Sequence, residues 1–191
     1  MIKIAVFASG AGTNAEKLAK HFNHSDLARI ELIISNNKNA GVIERARGLN
    51  LNCEVFSNEQ FKKGDDIIKL LSEKEIDFIV LAGFLLLIPG SIIKAYKNRM
   101  LNIHPALLPS FGGKGFYGSS VHETVIRSGA IMSGITIHNV NEKFDEGEII
   151  FQAGCHVNKN DTAASLAEKI HLLEYAFLPN VVEKIISLLP K

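Results

Sequence analysis

The stretch LNIHPALLPSF, residues 101–111, sets an amide and an imidazole two positions apart in an otherwise apolar run and follows them with two prolines. An amide N–H can donate to an oxyanion, and an imidazole near neutral pH can take or give a proton. Asn102 and His104 together therefore suit attack on a carbonyl-like carbon. On a strand, residues two apart point to the same side, and Pro105 stops the strand directly after the histidine. A lone histidine in such a run is more often a hydrogen-bonded structural residue; its pairing with an amide at a strand end is what favours chemistry.

An imidazolium needs a carboxylate to hold or compensate it. The turn NEKFDEG supplies Asp145, but Glu142, Glu146 and Glu148 stand beside it, and spacing does not single one out. His138, on the run before this turn, either faces the same cleft or is buried in a structural role. The segment SGAGTN, residues 9–14, has two glycines that permit a tight turn, and the helix after it offers free N–H groups to a phosphate. Gly10, Gly12 and Ala15 satisfy a loose dinucleotide-binding spacing, yet the acid that would hold a ribose is replaced by Ser35, Asn36 and Asn37. No GK[ST] sequence follows, which excludes a Walker A loop. The glycines alone fit a ligand-free turn equally well. His21, His24, His122, His156 and His171 show no metal-ligand spacing, so no metal is expected.

Elements that would position these groups can be read from the apolar pattern. Continuous β-branched runs alternate with amphipathic segments through the first hundred residues, which predicts parallel strands buried on both faces and joined by helices. Strands are expected at 2–8, 30–35, 52–56, 78–83 and 100–103, and helices at 14–22, 41–48, 60–74 and 89–96. A Gly- and Pro-rich loop and a short helix at 121–128 follow. GITIHNV and EIIFQAGCHV then flank the 141–147 turn as an antiparallel pair. The last helix should start after a cap at Asp161, reach about residue 189 and bend at Pro179. The expected fold is a three-layer α/β arrangement: a mostly parallel, Rossmann-like sheet with helices on both faces and an antiparallel extension in the C-terminal half. Ligands of such sheets bind beyond the carboxyl ends of the strands, where all of the groups above fall.

Composition removes several classes of function. A chain of 191 residues that is 47% hydrophobic fits one domain, 1–191, with a continuous core. Twenty-one basic against 20 acidic residues provide no global field for a nucleic-acid polymer or an anionic membrane. The apolar run FIVLAGFLLLI is 11 residues long, short of the roughly 20 that span a bilayer. Cys53 and Cys155 form no CxxC pair, and the N-terminus has no signal-peptide pattern. A cytoplasmic enzyme acting on small molecules, as monomer or homodimer, is the expectation.

Taken in order, SGAGTN, VLAGF, LNIHPALLP and the DEG turn resemble the phosphoribosylglycinamide formyltransferase family of purine biosynthesis, over nearly the whole chain. The resemblance implies formyl transfer from 10-formyltetrahydrofolate, as co-substrate, to the amine of glycinamide ribonucleotide. It implies that Asn102, His104 and Asp145 are catalytic, with protonated His104 and Asn102 stabilising the oxyanion. Ala11, Gly12, Thr13 and Asn14 would bind the ribosyl phosphate and Glu174 the glycinamide end. Backbone groups of Leu86 and Leu87, with the turn from Val140 to Asp145, would hold the folate. The chain departs from the family pattern at Glu148, where a proline is frequent, at Leu86, where several relatives carry arginine, and in GGKGFYG. Formyltetrahydrofolate hydrolase shares the Asn, His and Asp set but adds a regulatory domain, and methionyl-tRNA formyltransferase adds a tRNA-binding domain; 191 residues leave room for neither. A non-catalytic nucleotide- or folate-binding module on the same fold is the alternative from another class.

Overall fold

Strands that alternate apolar residues on both faces need a helical layer on each side, and the structure, a computed structural model describing residues 1–189, supplies both. The elements run β1 (Ile2–Phe7), α1 (Thr13–Phe22), β2 (Ala28–Ser35), α2 (Gly41–Gly48), β3 (Asn52–Val55), α3 (Asn58–Lys63), α4 (Asp65–Glu73) and β4 (Phe78–Ala82). They continue through α5 (Gly90–Ala95), β5 (Met100–His104), α6 (Ser119–Ser128), β6 (Met132–Asn139), β7 (Ile149–His156) and α7 (Ala163–Ser187). The strands form one sheet in the order β3-β2-β1-β4-β5-β6-β7. β1 to β5 are mutually parallel, whereas β6 runs antiparallel to both β5 and β7.

Side-chain parity divides the core in two. Ile4 and Val6 of β1, Phe78 and Val80 of β4, and Leu101 and Ile103 of β5 pack under α1, α2, α6 and α7. Ala5, Phe7, Ile79, Leu81 and Met100 face the other way, under α3, α4 and α5. Asn102 and His104 share the parity of Met100, while Thr136 and His138 alternate with Ile135 and Ile137, which pack into the first layer. These four polar residues thus lie on one face of β5 and β6.

The predicted helix 60–74 is two helices. Ser57 caps the first in a reciprocal box with Gln60, and the chain breaks at Gly64 before α4 begins at Asp65. The cap of the last helix is Thr162, which exchanges bonds with Ser165. Asp161 instead accepts from the Asn158 N–H and pairs with Lys169. α7 continues through Pro179, and the Asn180 side chain donates to the Ala176 carbonyl at 2.7 Å in the turn that the proline weakens. No helix of the described residues is long and apolar enough to cross a membrane.

Candidate active site

The chain runs from β1 outward to β3 and then returns to β4 on the opposite side of β1, so the strand order reverses between β1 and β4. The carboxyl ends of these two strands open the crevice expected at such a switch. A cleft of about 580 Å³ lies there, lined by the 10–14 turn, residues 82–85, the end of β5, the 113–119 loop, Asp145 and one side of α7.

Gly12 forms the N-terminal boundary of α1 in a left-handed conformation, φ 76°, and no side chain caps that helix. A Cβ at Gly12 would come within 2.7 Å of the Val42 Cα, so α2 packs where only glycine fits. Arg45 of α2 donates Nε to the Ala11 carbonyl at 2.8 Å and pairs with Glu16, which ties α2 to the turn and to the first turn of α1. The first-turn N–H groups of α1 point along the dipole into the cleft, an arrangement suited to an anion. Asn36 and Asn37, at the position that a ribose-binding acid occupies in dinucleotide-binding folds, are structural: Ser9 Oγ donates to Asn36 Oδ1 at 2.6 Å, and Asn37 Nδ2 donates to the Ser9 carbonyl at 3.4 Å. Thr13 lines the same cleft, as does Asn14, whose Nδ2 donates to Glu174 Oε2 at 2.9 Å. Burial pushes the Glu174 carboxyl above its ordinary value, opposed by that bond and by His171.

Antiparallel register sets the catalytic candidates. Asn102 pairs with His138 and His104 with Thr136 across β5 and β6. Thr136 Oγ1 donates to the Ala106 carbonyl and accepts from the Leu108 N–H, at 2.7 and 2.9 Å, which folds the proline-rich segment back over β6. The loop therefore brings the Phe111 carbonyl to 2.8 Å from His104 Nε2. Asp145 reaches in from the 140–148 turn: its Oδ2 lies 3.4 Å from His104 Nδ1 and accepts from the Gly113 N–H at 2.9 Å. Its Oδ1 accepts from Asn102 Nδ2 at 3.3 Å and stands 3.6 Å from His138 Nε2. Glu142, Glu146 and Glu148 are exposed; Glu146 pairs with Lys143, and Glu148 accepts from Asn139. Only Asp145 is turned inward. Gly147 makes the turn possible, because a Cβ there would meet the Asn139 carbonyl carbon at 2.7 Å.

The sequence admits two readings of His138, and the structure makes it part of the cluster. Its Nδ1 faces the Asn139 carbonyl at 2.8 Å, so Nε2 is left to accept from Asn102 at 3.0 Å. Both N–H groups of Asn102 are thereby engaged, one by His138 and one by Asp145. Burial lowers the His104 pKa; Asp145 and the Phe111 carbonyl act in the opposite direction without overcoming it. Burial therefore favours the neutral ring at rest, with Nε2–H given to Phe111 and Nδ1 next to the carboxylate. Burial also works against the charge on Asp145, but hydrogen bonding to His138, the electrostatics of the neighbouring His104 and the Gly113 N–H outweigh it and hold the carboxyl below its usual range.

A second, narrow cleft of about 50 Å³ lies on the other side of the cluster, lined by Leu86, Leu87, Ile88, Val140, Asn141 and Lys143, and based on Phe84. Phe84 packs on Phe61 and Phe7, with centroids at 4.8 and 5.5 Å, so its floor is fixed from α3 and β1. Asn102 and Asp145 line both clefts. Among the described residues no group of three or more His, Cys, Asp or Glu side chains has metal-holding geometry.

The fold and site together define a class: α/β proteins with a ligand cleft at a sheet switch point and an Asn, His and Asp cluster at its inner end. Residues 2–182 match the formyl transferase family model. The chain is 40% identical over 186 residues to a chloroplastic phosphoribosylglycinamide formyltransferase of Arabidopsis thaliana; the match covers 94% of this chain, which spans 64% of that relative's length. It is 33% identical over 193 residues to the phosphoribosylglycinamide formyltransferase of Bacillus subtilis (strain 168), covering 98% of this chain and 96% of the other. A crystal structure of phosphoribosylglycinamide formyltransferase from Streptococcus pneumoniae TIGR4 superposes with TM-score 0.86 at 34% identity, covering 97% and 99% of the two chains. The chain belongs to the formyl transferase family.

Proposed function

We propose that this protein transfers a formyl group from 10-formyltetrahydrofolate to the amine of glycinamide ribonucleotide, a step of purine biosynthesis, and that residues 1–191 act as one catalytic domain. The observation that carries the reading is the meeting of two clefts at Asn102 and Asp145, one headed by a helix N-terminus suited to an anion and the other by an apolar slot. An amine held by its phosphate in the first can meet a formyl carbon presented from the second. The names of the relatives support the same assignment.

In this reading Ala11, Gly12, Thr13 and Asn14 hold the phosphate, and Glu174 holds the substrate beyond it. Leu86, Leu87 and Val140 bind the folate, whose bicyclic ring requires the 141–144 turn to move outward from the narrow slot. The amine lone pair attacks the formyl carbon and an oxyanion forms. Asn102 redirects one N–H from its resting acceptor to that oxygen. His104 takes the amine proton at Nδ1, and the resulting imidazolium is held between the Phe111 carbonyl and Asp145. The bond from carbon to N10 then breaks, N10 receives the proton, and formylated nucleotide and tetrahydrofolate leave. No step calls for a metal.

Purified protein incubated with both substrates should give formylated nucleotide and tetrahydrofolate in equal amounts. Release of formate at the same rate with and without the nucleotide would instead establish a hydrolase. Binding of either ligand with no turnover would establish a binding module.

A further inference from the structure

α6 carries a histidine that none of the steps above employs. His122 is 5% exposed, and its ring forms part of the wall of the larger cleft. Its Nδ1 is sealed from solvent with no hydrogen-bond partner among the described residues. Nε2 makes no side-chain hydrogen bond to the described residues either, yet it is not among the sealed atoms, so it is the nitrogen that the cleft reaches. Nδ1 is closed to any ligand, so Nε2 is the one nitrogen of the ring that presents hydrogen-bonding capacity to the cleft with no partner among the described residues.

The surroundings of His122 locate it along the cleft. The ring lines the cleft together with His104 and His171, and burial, then electrostatics from His171 and His104, lower its pKa and favour the neutral form. His171 neighbours Glu174 on α7, at the end of the cleft formed by the 10–14 turn, whereas His104 marks the reacting end. His122 therefore faces the stretch between a phosphate at the α1 terminus and an amine at Asn102 and Asp145. In a phosphoribosyl substrate that stretch is the ribose. A neutral imidazole is poorly matched to a phosphate, but a hydroxyl both donates and accepts and so matches either tautomer.

We propose that His122 is a specificity-determining substrate contact whose Nε2 hydrogen-bonds a ribosyl hydroxyl of the nucleotide. The proposal rests on the formyl-acceptor reading given above.

The test compares the parent with His122→Leu and His122→Gln, using glycinamide ribonucleotide and its 2′-deoxy and 3′-deoxy analogues. Loss of one neutral hydrogen bond should raise the nucleotide KM of His122→Leu about 3- to 10-fold, with the folate KM unchanged. Its melting temperature should be unchanged or higher, because leucine removes an unpaired buried group. His122→Gln, which places an amide nitrogen near the Nε2 position, should recover part of the affinity. The analogue lacking the contacted hydroxyl should show the KM penalty in the parent and no further penalty in His122→Leu. Equal His122→Leu penalties on all three substrates would overturn the proposal, as would an unchanged nucleotide KM, or a fall in melting temperature that the KM merely follows. Calorimetric binding of ribose 5-phosphate and its 2-deoxy and 3-deoxy analogues to the parent and His122→Leu tests the ribose contact without turnover. A hydroxyl-dependent difference there, in a protein that transfers no formyl group, would sink the functional reading and leave the contact standing; no difference would sink the contact.

Discussion

Asp145→Asn isolates the charge of the inward-turned acid. The substitution keeps size, and its amide oxygen can still accept from the Gly113 N–H now at 2.9 Å. What it removes is the carboxylate 3.4 Å from His104 Nδ1, where positive charge develops as the amine proton arrives. At that distance, with an effective dielectric of about 20, the lost attraction is about 5 kcal/mol, equivalent to on the order of 10³ to 10⁴ in rate. The asparagine N–H₂ would also oppose the Asn102 N–H₂, now 3.3 Å from Oδ1, so the figure is not an upper limit. Initial rates of formyl transfer should show the loss in kcat, with KM for both substrates moved only slightly and the melting temperature nearly unchanged. The pH profile adds a second readout. His104 must be neutral to accept the proton, so the acid limb belongs to its titration, at a value pushed below the ordinary 6.5 by burial. Asp145 raises that value, so Asp145→Asn should move the acid limb to lower pH. The Asp145 carboxyl, held below 3.8, does not itself titrate in that range. Glu146→Gln and Glu148→Gln, both in exposed positions of the same turn, should retain parent rates. Turnover of Asp145→Asn within a few-fold of the parent, or an acid limb that stays in place, would refute the assignment.

Other substitutions probe the ligand ends of the site. Gly12→Val should raise the nucleotide KM far more than the folate KM and also lower the melting temperature, because the new Cβ strikes Val42 as well as crowding the turn proposed to hold the phosphate; equal effects on both KM values would show general misfolding instead. Glu174→Gln should raise the nucleotide KM while stabilising the free protein. The folded-state pKa of Glu174 is raised above 4.5, so its contribution is fully present below that pH and is lost as pH rises through the folded value. The melting temperature of Glu174→Gln should therefore draw ahead of the parent as pH increases from below 4.5 toward neutrality, and a gap independent of pH would refute the account. With leucine at 86, the folate's glutamate tail lacks a charge-assisted contact there unless the exposed Lys62 or Lys63 replaces it, so KM should differ little between mono- and triglutamate donors. A large difference that survives Lys62→Ala and Lys63→Ala would contradict this.

The local code of the chain determined which residues are available and on which side of a strand they lie. Period-two alternation placed Asn102 and His104 together, the glycines marked the turn before α1, and Pro105 marked the strand end, because each of these is a property of neighbours in sequence. Where local signals compete, the sequence was less decisive: Gly64 splits one predicted helix, and Thr162 rather than Asp161 caps α7. The rest of the site is non-local and was decided only by tertiary structure. Antiparallel register sets His138, 36 residues away, directly opposite Asn102, and no spacing rule encodes that pairing. Four acids share one turn, and the one aimed inward is chosen by the close approach of Gly147 to Asn139 and by the Gly113 N–H arriving from a distant loop. The charge states of His104 and Glu174 follow from burial, and burial depends on what the whole chain packs around a side chain rather than on the residues beside it.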